Sequence, residues 1–284
     1  MKAAIVAVAL LSAGAQAAFT ETVNGVTYTV THLDADGSEL PVQSGPVIDA
    51  TSRVAQREQR RAARAAEKRS QTFTNWCGAA NLSPPGGSTW NSVSGAWTVP
   101  KMSLRSGQSA SNQPSLVQWI GIDGDGCKSG GLIQGGSGSQ IDSNGSQENY
   151  AWFEFVPATL RTFTMKVNTG DQISGLVTAD SSTTGNVTIN NVSTGQSMNF
   201  YFSDGGAGLC GSSAEWILED LTSEPSQTLE PFAGFPDNHF TNCQASTNGG
   251  QSAGPGTNNV NIAQNGKTLC TGQISGSSVY VHSS

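Results

Sequence analysis

A series of short strand-like runs most constrains what this chain can fold into. AWTVP, QWIGI, AWFEFVP, TMKVN, QISGLVTA, NVTIN, MNFYF and SVYVH are rich in β-branched or aromatic residues and are separated by Gly, Ser and Asn. Such side chains fit a pleated, half-buried surface, and Gly and Asn supply the turns between strands. With only weak helix signals after residue 70, the pattern predicts an all-β sandwich or barrel and argues against an α/β enzyme.

The N-terminal part reads differently. Residues 1–17, MKAAIVAVALLSAGAQA, combine a basic start, a short apolar run and a small-residue end, the signature of a secretory signal peptide. The apolar run is shorter than the roughly 20 residues a membrane span needs, and no later segment comes near that length. Residues 53–70, RVAQREQRRAARAAEKRS, read as a basic helix that stops at Lys68 and Arg69. A dibasic pair there implies processing after Arg69, which makes 18–69 a propeptide and 70–284 the mature domain. The plainer alternative is a solvated charged helix that stays attached.

From Ser70 onward there are six Lys or Arg against fourteen Asp or Glu, a net charge near minus eight. Such an acidic body is a poor nucleic-acid ligand. It would attract the basic prosegment until low pH protonates its carboxylates, which predicts an acid-triggered zymogen inhibited by its own propeptide.

Five cysteines, Cys77, Cys127, Cys210, Cys243 and Cys270, fall in the mature part. In an exported chain they are expected in disulfides, and the odd count leaves one over. Their spacing fits no zinc pattern, and only His239 and His282 follow residue 70, so no metal or other cofactor is expected. Asn81, Asn144, Asn186 and Asn191 each open an Asn-x-Ser/Thr sequon.

Neither histidine sits in the setting that a Ser or Cys nucleophile requires, and the Gly-rich GGLIQGG (130–136) lacks the Lys and helix of a phosphate loop. Acid and amide chemistry remains. GGLIQGG shelters Gln134, whose amide donates and accepts hydrogen bonds without titrating. SAEWILED (213–220) holds Glu215 on an apolar strand, where alternation puts Glu215, Ile217 and Glu219 on one face and Trp216, Leu218 and Asp220 on the other. Desolvation there is expected to raise the glutamate above its reference pKa of about 4.3. AWFEFVP supplies a further candidate, Glu154.

Together, NWCGAAN, VSGAWTVP, QWIGIDGDGCKSGGLIQGG, AWFEFVP and SAEWILED resemble the glutamic peptidases of fungi, the eqolisin family or family G1, in the family's order. The resemblance covers nearly all of the mature segment. It implies an antiparallel β-sandwich of two long, concanavalin-like sheets and an endopeptidase that acts on proteins or peptides in acid; with the signal peptide, a secreted and monomeric enzyme is expected. It also implies a catalytic dyad of Gln134 and Glu215, a substrate cleft lined by Trp76, Trp119, Asp123, Trp152 and Glu154, and a Cys127–Cys210 disulfide. A second bridge is expected between Cys243 and Cys270. Cys77 stands where the family carries Gly, which leaves open a free thiol beside Trp76.

Two other classes stay open on sequence. A carbohydrate-binding sandwich would use exposed Trp and Asn and need no dyad. A sandwich glycosidase would recruit Glu154 and Glu215 as paired carboxylates.

Overall fold

The computed structural model describes residues 18–45, 50–51, 70–204, 206–223, 226 and 228–284. The signal peptide read from 1–17 and the basic helix read from 53–69 lie outside the described residues. In chain order the first strands are β1 (Ala18–Val23), β2 (Val26–Leu33), β3 (Glu39–Leu40), β4 (Ala50–Thr51), β5 (Ser70–Phe73), β6 (Trp76–Asn81) and β7 (Trp90–Thr98). Then come β8 (Ser115–Asp123), β9 (Leu132–Ile141), β10 (Gln147–Phe155), β11 (Arg161–Phe163), β12 (Gln172–Ala179), β13 (Gly185–Asn191) and β14 (Gln196–Asp204). The last are β15 (Ala214–Glu219), β16 (Thr222–Ser223), β17 (Asn238–Thr247), β18 (Ser252–Ala253), β19 (Asn259–Gln264), β20 (Lys267–Ser275) and β21 (Ser278–Ser283).

Hydrogen bonding runs unbroken through β11, β10, β9, β8, β15, β6, β19, β20 and β21, then on through β17, β7, β12, β13, β14, β2 and β1. Among the strands described, only β5 lies parallel to its neighbour, β19. The sheet folds back at β21 and β17, so β7, β12 and β13 lie over β8, β9 and β15. The sandwich is therefore one continuous antiparallel sheet bent into two layers.

Alternation explains the layers. Strand β13 buries every second residue, as a strand with one wet face should. Strands β8 and β15 are buried throughout, because both faces of each are covered by packed side chains. Between the layers lie Ile120, Ile133, Phe153, Trp216 and Leu218 with Trp97, Ile173, Val177 and Val187. The outer face of the first layer carries a second cluster that includes Trp76, Val117, Trp119, Tyr150, Trp152 and Ile217. Each such fully buried side chain contributes about 1.5–3 kcal/mol.

The stretch assigned to the propeptide enters this sheet. Asn24 and Gly25, with φ of 51° and 79°, turn β1 into β2, the positive-φ pair that a tight hairpin requires. Strand β2 pairs along β14, and Val26, Tyr28 and Val30 are fully buried. TMKVN is not a strand: Met165 and Val167 are buried alternately, yet among the described residues the segment joins no strand ladder.

The disulfides correct one expectation. Cys127–Cys210 forms, but Cys270 pairs with Cys77, not Cys243, at a Cα–Cα distance of 6.0 Å. Strand β6 borders β19, β19 borders β20, and Cys77 points away from Trp76 into the inter-layer core. Cys77 is thus no free thiol in the cleft. The unpaired cysteine is Cys243, buried in the core, where desolvation pushes its thiol up to about 12. Two sequon asparagines are also interior: Asn191 is fully buried and donates to the Lys166 carbonyl and Asp171, and Asn81 donates to the Gly254 carbonyl.

Candidate active site

Strand register builds the site. Glu215 on β15 pairs with Gly121 on β8, Gly121 with Gln134 on β9, and Gln134 with Glu154 on β10. Directly paired residues share a face, so these four form one row across the outer face of the first layer. Neighbouring strands are about 4.8 Å apart, which separates the Glu215 and Gln134 backbones by about 9–10 Å. Two long side chains can bracket a small molecule over that gap. Gly121 keeps it open: a Cβ there would lie 3.0 Å from the Gln134 Cβ and 2.9 Å from the Trp119 ring.

Both members of the pair are fully buried and held. Gln134 Nε2 donates to Glu154 Oε2 at 2.6 Å, which sets the amide orientation and leaves the second Nε2 proton free of Glu154. Gln134 Oε1 has no hydrogen-bond partner among the described residues. Glu215 Oε1 accepts from the Asp125 amide at 3.1 Å and from Ser213 Oγ at 3.0 Å. These donors fix the carboxylate's orientation.

Asp123 sits at φ +71° at the end of β8. Its Oδ2 accepts from the amides of Cys210 (2.7 Å) and Gly211 (2.9 Å), and its Oδ1 from the amide and hydroxyl of Ser212 (both 2.7 Å). With both oxygens so engaged, Asp123 ties down the loop that leads into β15 and hence Glu215. The Cys127–Cys210 bridge clamps the same loop. Asp123, Cys127 and Cys210 bring ligand-type atoms within 4.8 Å of one another, but the two sulfurs are bonded together and Asp123 is committed to the loop.

One row along, Ile217 pairs with Trp119, Trp119 with Gly136, and Gly136 with Trp152. Trp119 stands edge-on to Trp76 at 4.8 Å between ring centroids. The Trp119 indole donates to Glu219 Oε2 at 2.7 Å, and Asn75 Nδ2 donates to Glu219 Oε1 at 3.0 Å. The Trp152 indole N–H has no hydrogen-bond partner among the described residues. The structure thus brings Gln134, Glu215, Glu154, Trp76, Trp119 and Trp152 onto one face. Sequence reasoning missed Gly121 and Asn75, and it placed Glu219 on the Glu215 face without giving it a role.

The Peptidase A4 family model matches residues 74–283. The chain belongs to this family. Aspergillopepsin-2 of Aspergillus niger is 35% identical over 225 residues, covering 73% of this chain and 77% of that protein. Scytalidopepsin B of Scytalidium lignicola is 34% identical over 213 residues, covering 69% and 76%. The solved scytalido-glutamic peptidase with a transition-state analogue inhibitor superposes with a TM-score of 0.64 at 30% identity, covering 74% of this chain and 98% of its own. The family assignment matches the eqolisin resemblance read from the motifs. The chain is a hydrolase of the glutamic peptidase type, and the bent-sheet sandwich is its fold.

Proposed function

We propose that this protein is a secreted acid endopeptidase in which Glu215 and Gln134 activate a water against a substrate peptide bond. The observation that carries this reading is the buried row of Glu215, Gly121 and Gln134, with a Cβ-free gap between the two functional side chains. In the forward step Glu215 takes a proton from water as the oxygen adds to the carbonyl carbon. The Nε2 proton that Glu154 does not take then donates to the oxyanion. Glu215 returns its proton to the leaving amine as the C–N bond breaks. A positioned oxyanion donor is worth ~10²- to 10³-fold in turnover, and acid–base transfer ~10²- to 10⁴-fold. Trp119 and Trp152 wall the next row, where a peptide would lie.

The scytalido-glutamic peptidase structure with a transition-state analogue and the eqolisin complex with the tripeptide Ala-Ile-His support peptides as ligands. The glycosidase alternative is weaker, because Glu154 is engaged by Gln134 rather than poised as a second acid. Disulfides support export, and no helix among the described residues is long and apolar enough to cross a membrane. Residues 18–69 act in this reading as a prosegment that keeps the precursor inactive until acid processing, with peptides and that prosegment as the partners of a monomeric enzyme. Incubating the secreted precursor across acidic pH, with intact-mass analysis and a casein assay, tests it. A precursor that stays whole and inert at every acidic pH contradicts the zymogen reading.

A further inference from the structure

The N-terminal hairpin occupies a place that charge alone does not explain. At one side of the sandwich the two layers are joined through β21 and β17; at the other they end separately, at β11 and at β14 followed by β2 and β1. Strand β2 covers the hydrogen-bonding edge of β14 from Ser197 to Asp204. Its Tyr28 ring packs against Phe153 at 5.0 Å and Phe202 at 6.3 Å between centroids. Phe19 of β1 meets Phe163 at 6.4 Å, and Glu21 pairs with Arg161 at 3.4 Å and accepts from the Tyr28 hydroxyl. Further on, Gly45 donates its amide to the Thr162 carbonyl at 2.8 Å, and Thr164 donates to the Gln43 carbonyl at 3.2 Å. The hairpin therefore bridges the two free ends and plugs the aromatic cluster between them. None of the buried residues of the cleft-face cluster comes from it. It also lies outside the family's shared region, which begins at residue 74.

We propose that residues 18–45 are a docked strand pair, bound to the β14 edge and the Phe153–Phe163–Phe202 cluster on the opposite side of the first layer from the catalytic row. On this proposal the piece stays bound without a covalent link after the chain is cut near Arg69. The inference rests on reading 18–69 as a prosegment. It differs from an electrostatic prosegment in what holds the piece: a backbone ladder and buried apolar side chains, with one partly exposed ion pair. Ladder bonds and apolar burial are insensitive to salt, whereas attraction between a basic segment and an acidic body fades once the screening length falls to about 3 Å at 1 M.

The test uses the full precursor carrying the recognition sequence of a specific protease in place of residues 66–69, so that scission does not depend on the protein's own activity. After cutting, size-exclusion chromatography at neutral pH in 1 M NaCl and intact-mass analysis are expected to find both pieces in one peak. Hydrogen exchange is expected to leave the β14 amides, Gln196–Asp204, as protected as in the uncut chain. Elution of the N-terminal piece on its own, with the β14 amides exposed and the domain still folded, would overturn the proposal. Val30→Lys should release the piece after cutting; retention by that variant also counts against it. If the lysine variant does not fold, Tyr28→Ser should shift a measurable fraction to the free position, and the exchange result on the parent chain decides regardless. Failure of self-processing in acid would remove the zymogen reading without touching this outcome.

Discussion

At the residue scale, the row of functional side chains is shaped by a side chain that is absent. Gly121 lies between Glu215 and Gln134, and the row needs a residue without a Cβ at that point. Gly121→Ala is expected to fold with a local displacement, because the new Cβ would lie 2.9–3.0 Å from the Trp119 ring, the Gln134 Cβ and the Ile133 carbonyl oxygen. It should lower kcat by about 10-fold or more while changing KM little, since displaced water and oxyanion contacts act in the transition state. Steady-state kinetics on a peptide substrate checks this; an unchanged kcat would mean the gap is not where the water sits. Asp220, next to Glu219, supplies a pH prediction. Burial holds its carboxyl well above the usual range, although Gln264 donates to it at 2.7 Å. A group raised in the folded state binds more protons there than in the unfolded chain. Its contribution is full below the unfolded value and is lost as pH rises through the folded one. Asp220→Asn should therefore raise the melting temperature near neutrality and leave it nearly unchanged in strong acid. Thermal melts across pH give the answer.

Elements show what the sequence could and could not reveal. Short runs rich in β-branched and aromatic residues, set between turn residues, announced β7, β8, β10, β12, β13, β14 and β21, because strand propensity and turn signals are local. TMKVN failed as a strand because alternation records burial, whereas strand identity needs a neighbour's ladder. The hairpin β1–β2 was legible too: Asn24-Gly25 between TETV and VTYTV is a strong turn signal. Charge drew the propeptide boundary instead, and charge says nothing about pairing with β14. The Cys77–Cys270 bridge was not readable, since it joins residues 193 apart through the adjacency of β6, β19 and β20. Replacing both with serine should cost about 2–5 kcal/mol of stability, seen as a lower denaturant midpoint. Because Cys77 points away from the cleft, activity under stabilising conditions should persist. Loss of activity without loss of stability would return Cys77 to the site. Between elements, packing is tighter still: a Cβ on Gly136 would fall 1.8 Å from the Gln118 carbonyl oxygen, so Gly136→Ala should fail to fold.

For the whole molecule, the same bend in the sheet makes the inter-layer core and leaves the outer face of one layer to carry chemistry. Burial of both faces of β8, β9 and β15 explains why the charged side chains on them are confined to Asp123, Glu215 and Glu219. The proposed dyad was readable only through the motifs, for no periodicity marks Gln134 as different from a turn amide; the role proposed for it rests on its register with Gly121 and Glu215. The central claim is that Glu215 and Gln134 together perform acid proteolysis. The most direct test is cleavage of denatured casein at about pH 3 to 4, where carboxylates titrate, by the processed protein beside Glu215→Gln and Gln134→Ala. Turnover by the parent is expected, with at least a ~10²-fold loss in each variant and both variants still folded by circular dichroism. Full activity in either folded variant, or an inert parent after prosegment removal, would contradict it.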